Sequence, residues 1–404
     1  MLLEIVFIIF IGIFFGIITG LIPGIHVNLI GILLISIYSI INIDAIYFIV
    51  LITSMSITHT FVDFIPSVFL GCPDTDTELS ILPGHKLLKK GKGYEAILLT
   101  NYGSLVAIFI LVLVLIPSLI FISKIQNLIQ NLIPYILIIT SIILLSIEKR
   151  KIKALFIFIL TGLLGLCILN LEINQPLLPL LTGLFGVSNL LISIKNKTKI
   201  PEQKITKIYK KKIKPLIGAL IASPLCSFLP GLGSGQAAII GNIFTKIHLP
   251  CFARPIRNGD HKDFLILLGA TNTLVMGFSF LTLYTISKTR TGSAFAISQI
   301  ANNLSPQILI LILITIIISG IISFFTTKQL AKIISTKIHK VNYAKISIAT
   351  LIILTIITIL ISGISGLFVL IISTLTGIYC ISSKVRRTNM MGCLIIPTII
   401  LYLF

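Results

Sequence analysis

Two short segments interrupt long apolar runs with residues able to hold an anion: GLIPGIHVNLIG (20–31) and SFLPGLGSGQAAIIG (227–241). Proline removes a backbone donor and clashes with the preceding turn, and glycine admits left-handed torsions. Inside an apolar run this pair breaks a helix at membrane depth, freeing N–H and C=O groups that survive only when buried in protein or lining a cavity. The half-helix beyond each break presents free N–H groups and the positive end of its dipole, where anions bind. Gly24, His26 and Asn28 after the first break, and Gly231, Gly233, Ser234 and Gln236 after the second, are therefore the candidate substrate-binding residues. Either loop alone would read as a kinked helix packing through small residues. Two equivalent loops at an offset of 207 residues favour a site.

A second segment, Gly71-Cys-Pro-Asp-Thr-Asp-Thr-Glu78, holds three of the twelve acidic residues, and none lies beyond residue 263. If a cation is coupled to the chemistry, Asp74, Thr75 and Asp76 offer hard oxygen ligands for Na⁺, or one Asp holds a proton. The competing reading is a solvated turn capping a helix. Asn272 in LLGATNT (267–273) and Arg290 in SKTRTGSA join the substrate-binding candidates, a guanidinium being fork-shaped for a carboxylate. His59, between Thr58 and Thr60 in an apolar run, reads as a proton relay or as a satisfied interhelical donor, the commoner case.

These residues must be positioned in lipid. Hydrophobic residues make up 56% of the 404, charged residues 11%, and mean hydropathy is +1.10, against roughly 25% charged residues in soluble domains. The net charge of +20 comes from short basic clusters between apolar runs, the pattern of cytoplasmic loops and not of a nucleic-acid partner. The six cysteines show neither metal-ligand spacing nor a disulfide framework. The first Lys or Arg is Lys86, so the N-terminal apolar run reads as a retained membrane segment and not a secretory signal.

The runs lack strand alternation, which predicts an all-α, polytopic membrane protein of about 10 to 12 crossings, multi-pass in the cell membrane. Runs near 44–60, 216–247, 293–325, 346–361 and 363–383 are among them. A lysine-rich stretch, 195–214, reads as a cytoplasmic linker between two membrane repeats, 1–194 and 215–404, with lipid headgroups as a secondary contact. Four glycine motifs recur across the linker at offsets of 194 to 207 residues, which predicts duplication with paired Pro-Gly-broken helices. The basic loops favour parallel repeats.

The chain resembles the TctA family, the large membrane subunit of tripartite tricarboxylate transporters, in its stand-alone archaeal branch. The resemblance is carried by GIITGLIPGIHVN (16–28), FLGCPDTDTELSILPGHKLLKKGKGYEA (69–96), SFLPGLGSGQAA (227–238), LLGATNT (267–273) and VRRTNMMGCLIIP (385–397). It implies a secondary transporter of organic anions driven by an ion gradient, working with a small membrane subunit and an extracytoplasmic binding protein, or alone. It places Pro23, Gly24, Pro230, Gly231 and Gly233 in the glycine-rich breaks, and Gly71 to Thr75 in a reentrant-like segment. A Gly-x-Pro-Gly pattern of the bacterial members becomes Gly71-Cys-Pro-Asp and Gly269-Ala-Thr-Asn here.

The expected function is secondary active transport of a small organic anion, a di- or tricarboxylate, coupled to Na⁺ or H⁺, without enzymatic activity, cofactor or other metal. A polyprenyl-phosphate flippase is the alternative, since a phosphate suits the same helix ends. An intramembrane aspartyl enzyme is remote: Asp63 with Asp74 is the only imaginable pair, and no H-E-x-x-H or suitable G-x-S-x-G motif is present.

Overall fold

The computed structural model describes residues 2–22, 31, 34–35, 38, 44–70, 77, 80–146, 148–195, 201–205, 212–228, 233–245, 260–301, 304–340 and 343–403. In order its helices are α1 (Leu2–Leu21), α2 (Ala45–Val62), α3 (Phe64–Leu70), α4 (Ile81–Leu88), α5 (Gly93–Leu113), α6 (Leu115–Ser146), α7 (Lys151–Leu169), α8 (Leu177–Leu181), α9 (Ser188–Lys195), α10 (Lys214–Phe228), α11 (Ser234–Thr245), α12 (Asp260–Ile286), α13 (Gly292–Ile300), α14 (Pro306–Lys337), α15 (Tyr343–Ser382) and α16 (Gly392–Leu403). In hydrocarbon every backbone polar group must be satisfied within the chain, and helices do this segment by segment. Among the described residues seven helices are long and apolar enough to cross a membrane. The chain is an all-α, multi-pass membrane protein, as expected.

Close packing comes from glycine. α1 turns Phe7, Phe10 and Phe14 outward and lays Gly12, Gly16 and Gly20 on α2. A Cβ on these glycines would strike Ser54, Met55 and Val62 in turn, so the two helices run parallel. Their starting ends meet where the Tyr47 hydroxyl donates to Glu4. Asp44 caps α2, its carboxylate accepting from Ile46 N at 3.1 Å. Beyond Asp63 the helix resumes as α3, extending the apolar run expected at 44–60 as far as Phe69.

At the centre stands α12, buried along its whole membrane-length window. It runs beside α5 at backbone distance: a Cβ on Gly269 would lie 2.0 Å from Thr100 O, and one on Gly103 2.2 Å from Ile266 O. Against α12 lies a hairpin of α10 and α11. Gly218 and Gly241 face each other, each placing an added Cβ 2.5 Å from the other's carbonyl oxygen. Fifteen and twelve residues make helices of about 22 and 18 Å, short of a hydrocarbon core roughly 30 Å thick. The run 216–247 is therefore no simple crossing; among the described residues it forms two short helices packed on each other.

The run 293–325 also divides. Thr291 caps α13, accepting from Ala294 N at 3.2 Å, and Ser305 caps α14, with Pro306 in the first turn. Proline cannot continue a preceding helix but suits the first turn of the next. α15 bends at Gly363 (φ +67°, ψ −164°), where Gly366 lies against Ser362 and Thr358. This separates the runs 346–361 and 363–383. A Cβ at Gly363 would meet nothing within 4 Å, so Gly363→Ala costs only backbone strain, about 1–3 kcal/mol. A thermal midpoint a few degrees lower, with unchanged monodispersity in detergent, is the expected result.

Basic residues gather at one end. Lys262 of α12 pairs with Glu95 of α5, Lys212 lies 2.5 Å from Asp263, and Gln203 accepts from Gly93 N at 2.8 Å. His85 of α4 lies here with Nε2 buried and unbonded; burial, then Lys89 and Arg387, push it down to about 4. The folded protein keeps His85 neutral, whereas an unfolded histidine takes a proton near pH 6.5. Stability should therefore fall as pH drops from about 6.5 to 4, by up to about 3 kcal/mol. His85→Gln should flatten that slope in melting curves taken across this range.

Candidate functional site at the middle of the buried helix

Seven polar side chains line α2 and its end: Thr53, Ser54, Ser56, Thr58, His59, Thr60 and Asp63, none more than 3% exposed. Hydroxyls in an apolar helix can return their proton to the preceding turn, and Ser54, Ser56 and Thr58 do so to Val50, Ile52 and Ser54. The same row also binds four neighbouring helices. His59 Nδ1 is 3.1 Å from Thr19 Oγ1 of α1, and Thr60 Oγ1 is 3.1 Å from Thr273 Oγ1 of α12. The Ser56 hydroxyl is 2.6 Å from the Ser293 hydroxyl of α13, and Ser323 of α14 donates to Thr58 at 2.9 Å. His59 is thus a bonded interhelical residue, the commoner of the two readings open in the sequence.

Asp63 occupies the junction of α2 and α3. Its N–H donates to His59 O at 3.0 Å, and its Oδ2 accepts from Asn272 Nδ2 at 2.8 Å. Asn272 stands midway along α12. The carboxylate and amide, separated by 209 residues in sequence, meet inside the fully buried part of the molecule.

Both interrupted helices approach this pair. The last turn of α1, leading to Pro23-Gly24, abuts it, since a Cβ on Gly20 would lie 3.2 Å from Asp63 N. Ser227, in the last turn of α10 before Pro230-Gly231, donates to Ser223 O at 2.8 Å and brings its hydroxyl 3.4 Å from Val275 O, three residues beyond Asn272. One turn further, Ser279 is 2.9 Å from Thr291, the cap of α13. The flank of the first break thus meets Asp63, the flank of the second meets α12 beside Asn272, and the N-terminus of α13 meets α12 one turn further on. Thr77 lies in the same region: its O accepts from Ser67, one turn beyond Asp63, at 3.2 Å.

Of the residues expected from sequence, Asn272 lies at the centre and bonds Asp63. Gly233 and Ser234 are buried at the start of α11, with Gly233 O accepting from Ala237 N at 3.1 Å. Gln236 is on α11, its side chain outside the described set. Arg290 is half-buried in the reversal before α13, near enough for its charge to act at Cys226 in the hairpin. Gly24, His26, Asn28, Gly231, Asp74, Thr75 and Asp76 lie outside the described residues. Asp63 was missing from the candidate set, although an acidic residue inside an apolar run is itself a functional signal.

A model of the tripartite tricarboxylate transporter TctA family matches residues 6–392. An uncharacterized protein of Methanocaldococcus jannaschii is 33% identical over 394 residues, covering 94% of this chain and 94% of that protein. No solved structure matches the chain.

Proposed function

Because the chain belongs to the tripartite tricarboxylate transporter TctA family, we propose that it is a secondary active transporter of a di- or tricarboxylate. The observation that carries this reading is the convergence of α1, whose Gly20 abuts Asp63, and α10, whose Ser227 lies against Val275, around the buried bond between Asp63 and Asn272 of α12. An anionic group binds between the half-helix ends at Gly24 and Gly231. His26, Asn28, Gly233, Ser234, Gln236 and Asn272 supply donors, and Arg290 supplies a fork for a carboxylate. Asp74, Thr75 and Asp76 belong to the coupling cation, Na⁺ or H⁺. Alternating access requires that substrate and cation bind the two access states differently.

The test is uptake by purified protein in liposomes, with labelled citrate and succinate under imposed Na⁺ and proton gradients. Accumulation above equilibrium under one gradient is expected. Exposure of an isoprenyl-phosphate headgroup without carboxylate uptake would replace the carrier with a lipid flippase. Uptake by the chain alone, compared with uptake beside a small membrane subunit and an extracytoplasmic binding protein, decides whether it needs the partners found in bacterial systems of the family.

A further inference from the structure

We infer that the two halves are inverted repeats, related by a two-fold axis in the membrane plane, and that this inversion turns the central site from one side of the membrane to the other. The turning of the site rests on the transporter reading above; the repeat relation does not.

Contacts that occur twice carry the relation. Thr58-His-Thr-Phe-Val62 of α2 reads again as Thr271-Asn-Thr-Leu-Val275 in α12, 213 residues on. Gly20 of α1 packs on Val62, and its counterpart before the second break, Ser227 of α10, lies against Val275. The Ser67 hydroxyl is 2.6 Å from that of Ser80, which precedes α4. The Ser279 hydroxyl is 2.9 Å from that of Thr291, which precedes α13. Further along, Gly165 of α7 packs on Cys393 O, and Gly377 of α15 packs on Leu184 O. Gly392 packs on Phe158 O, and Gly183 on Leu370 O. The counterparts are 207 residues apart before the breaks and 209 to 213 elsewhere, in place of the shorter spacings that glycine motifs alone suggest.

The counterparts point in opposite directions. Ser56 meets Ser293, two residues past Thr291, which touches Ser279. Thr60 meets Thr273, and Asp63 meets Asn272. Phe69 packs on Gly93, two residues before Glu95, the partner of Lys262. As α2 and α3 advance, their neighbours on α12 step backward, so the equivalent helices are antiparallel. Thr60 and Thr273 are counterparts lying 3.1 Å apart, and a residue that touches its own counterpart sits on the two-fold axis. Charge agrees with this orientation. The basic loops 86–93, 149–153, 328–345 and 384–387 hold sixteen Lys and Arg. Their counterparts 212 residues away, 298–305, 361–365, 116–133 and 172–175, hold only Lys124. Loops on one side of a membrane share a basic bias. Parallel repeats would place both members of each pair on that side; inverted repeats separate them.

Inversion gives a central site two equivalent mouths. α4 stands at the start of α12, where Lys86 Nζ is 3.4 Å from His261 Nε2, and α13 stands at its far end beside Ser279. The Ser67–Ser80 and Ser279–Thr291 contacts are the two latches, one for each side, and alternating access opens them in turn.

The experiment adds single cysteines to the full chain in sealed membrane vesicles and reads each by peptide mass spectrometry. A membrane-impermeant maleimide is applied before and after permeabilisation. Lys89→Cys and Lys384→Cys should react from one side, and their counterparts Ala301→Cys and Glu172→Cys from the other. Reaction of both members of either pair from the same side overturns the inversion. Ser67→Cys/Ser80→Cys and Ser279→Cys/Thr291→Cys are then oxidised, and failure of a bridge to form overturns the contact it tests. Each bridged protein should lose at least ten-fold of its counterflow exchange of labelled citrate or succinate. Reductant should restore the exchange, which separates a closed latch from a misfolded chain. Exchange by either bridged protein within three-fold of its reduced form overturns the latches. Labelling does not depend on transport. If the sides come out as stated but the reduced proteins move no carboxylate, the transporter reading fails and the inverted repeats stand.

Discussion

Replacing Gly269 with valine is expected to leave little folded protein in the membrane. Gly269 lies in the middle of α12, where a first side-chain carbon would sit 2.0 Å from Thr100 O and 2.7 Å from Thr100 C. Both are backbone atoms of α5, so no rotamer change relieves the clash, and ordinary contact begins only at 3.4 Å. The reciprocal approach of Gly103 to Ile266 leaves no slack on the other side. Parting the helices also breaks the bond from Ser104 Oγ to Gly269 O, 3.0 Å long and buried. Overpacking alone costs about 1–3 kcal/mol and an orphaned buried polar group about as much again. The sum, roughly 2–6 kcal/mol, reaches into the rare, diagnostic class of substitutions. Size-exclusion profiles and thermal melts in detergent read the effect. A variant melting within a few degrees of wild type would refute the backbone contact between α5 and α12.

Arg290→Gln should raise the substrate concentration for half-maximal uptake by at least about 30-fold. The proposed substrate carries carboxylates into a site walled by buried helices, where a guanidinium offers two parallel charge-assisted bonds. Removing one partner of such a pair costs about 2–5 kcal/mol, and about 2 kcal/mol already corresponds to roughly 30-fold. Arg290 is half-buried beside Thr291, which caps α13 and lies 2.9 Å from Ser279. Arg290→Lys keeps the charge without the fork and should recover part of the loss. Concentration dependence of uptake in liposomes measures all three proteins. A shift of less than three-fold for Arg290→Gln would make Arg290 an interfacial anchor and remove it from the site.

The class of this protein was legible because hydropathy is additive along the chain. Runs of Ile, Leu, Val and Phe with so few charges have one stable solvent, and lipid admits helices. The ends of α1 and α10, just before Pro23-Gly24 and Pro230-Gly231, were legible for a local reason, since a missing donor and a permissive torsion break a helix in any fold. The boundary between the runs 346–361 and 363–383 was visible in the same way, and it is Gly363 that makes it. Asn272 could be marked from its motif, but its partner could not.

Hydropathy could not rank the helices by depth within the bundle. α1 and α12 read alike as apolar runs, yet α1 faces lipid along much of its length and α12 is enclosed. That difference arises from which glycines oppose which, and such opposition is a relation between distant segments. The polar row of α2 reads in sequence as a few tolerable hydroxyls with a histidine and an aspartate.

By itself, then, the amino-acid sequence determined the solvent, the helical class and the places where helices must break, because each follows from the composition or torsions of neighbouring residues. Only the tertiary structure decided that 214–245 is a hairpin, that α12 is the enclosed axis, and that Asp63 meets Asn272 across 209 residues. Those outcomes depend on close approach between backbones far apart in the chain, and no local pattern encodes which glycine will find which carbonyl.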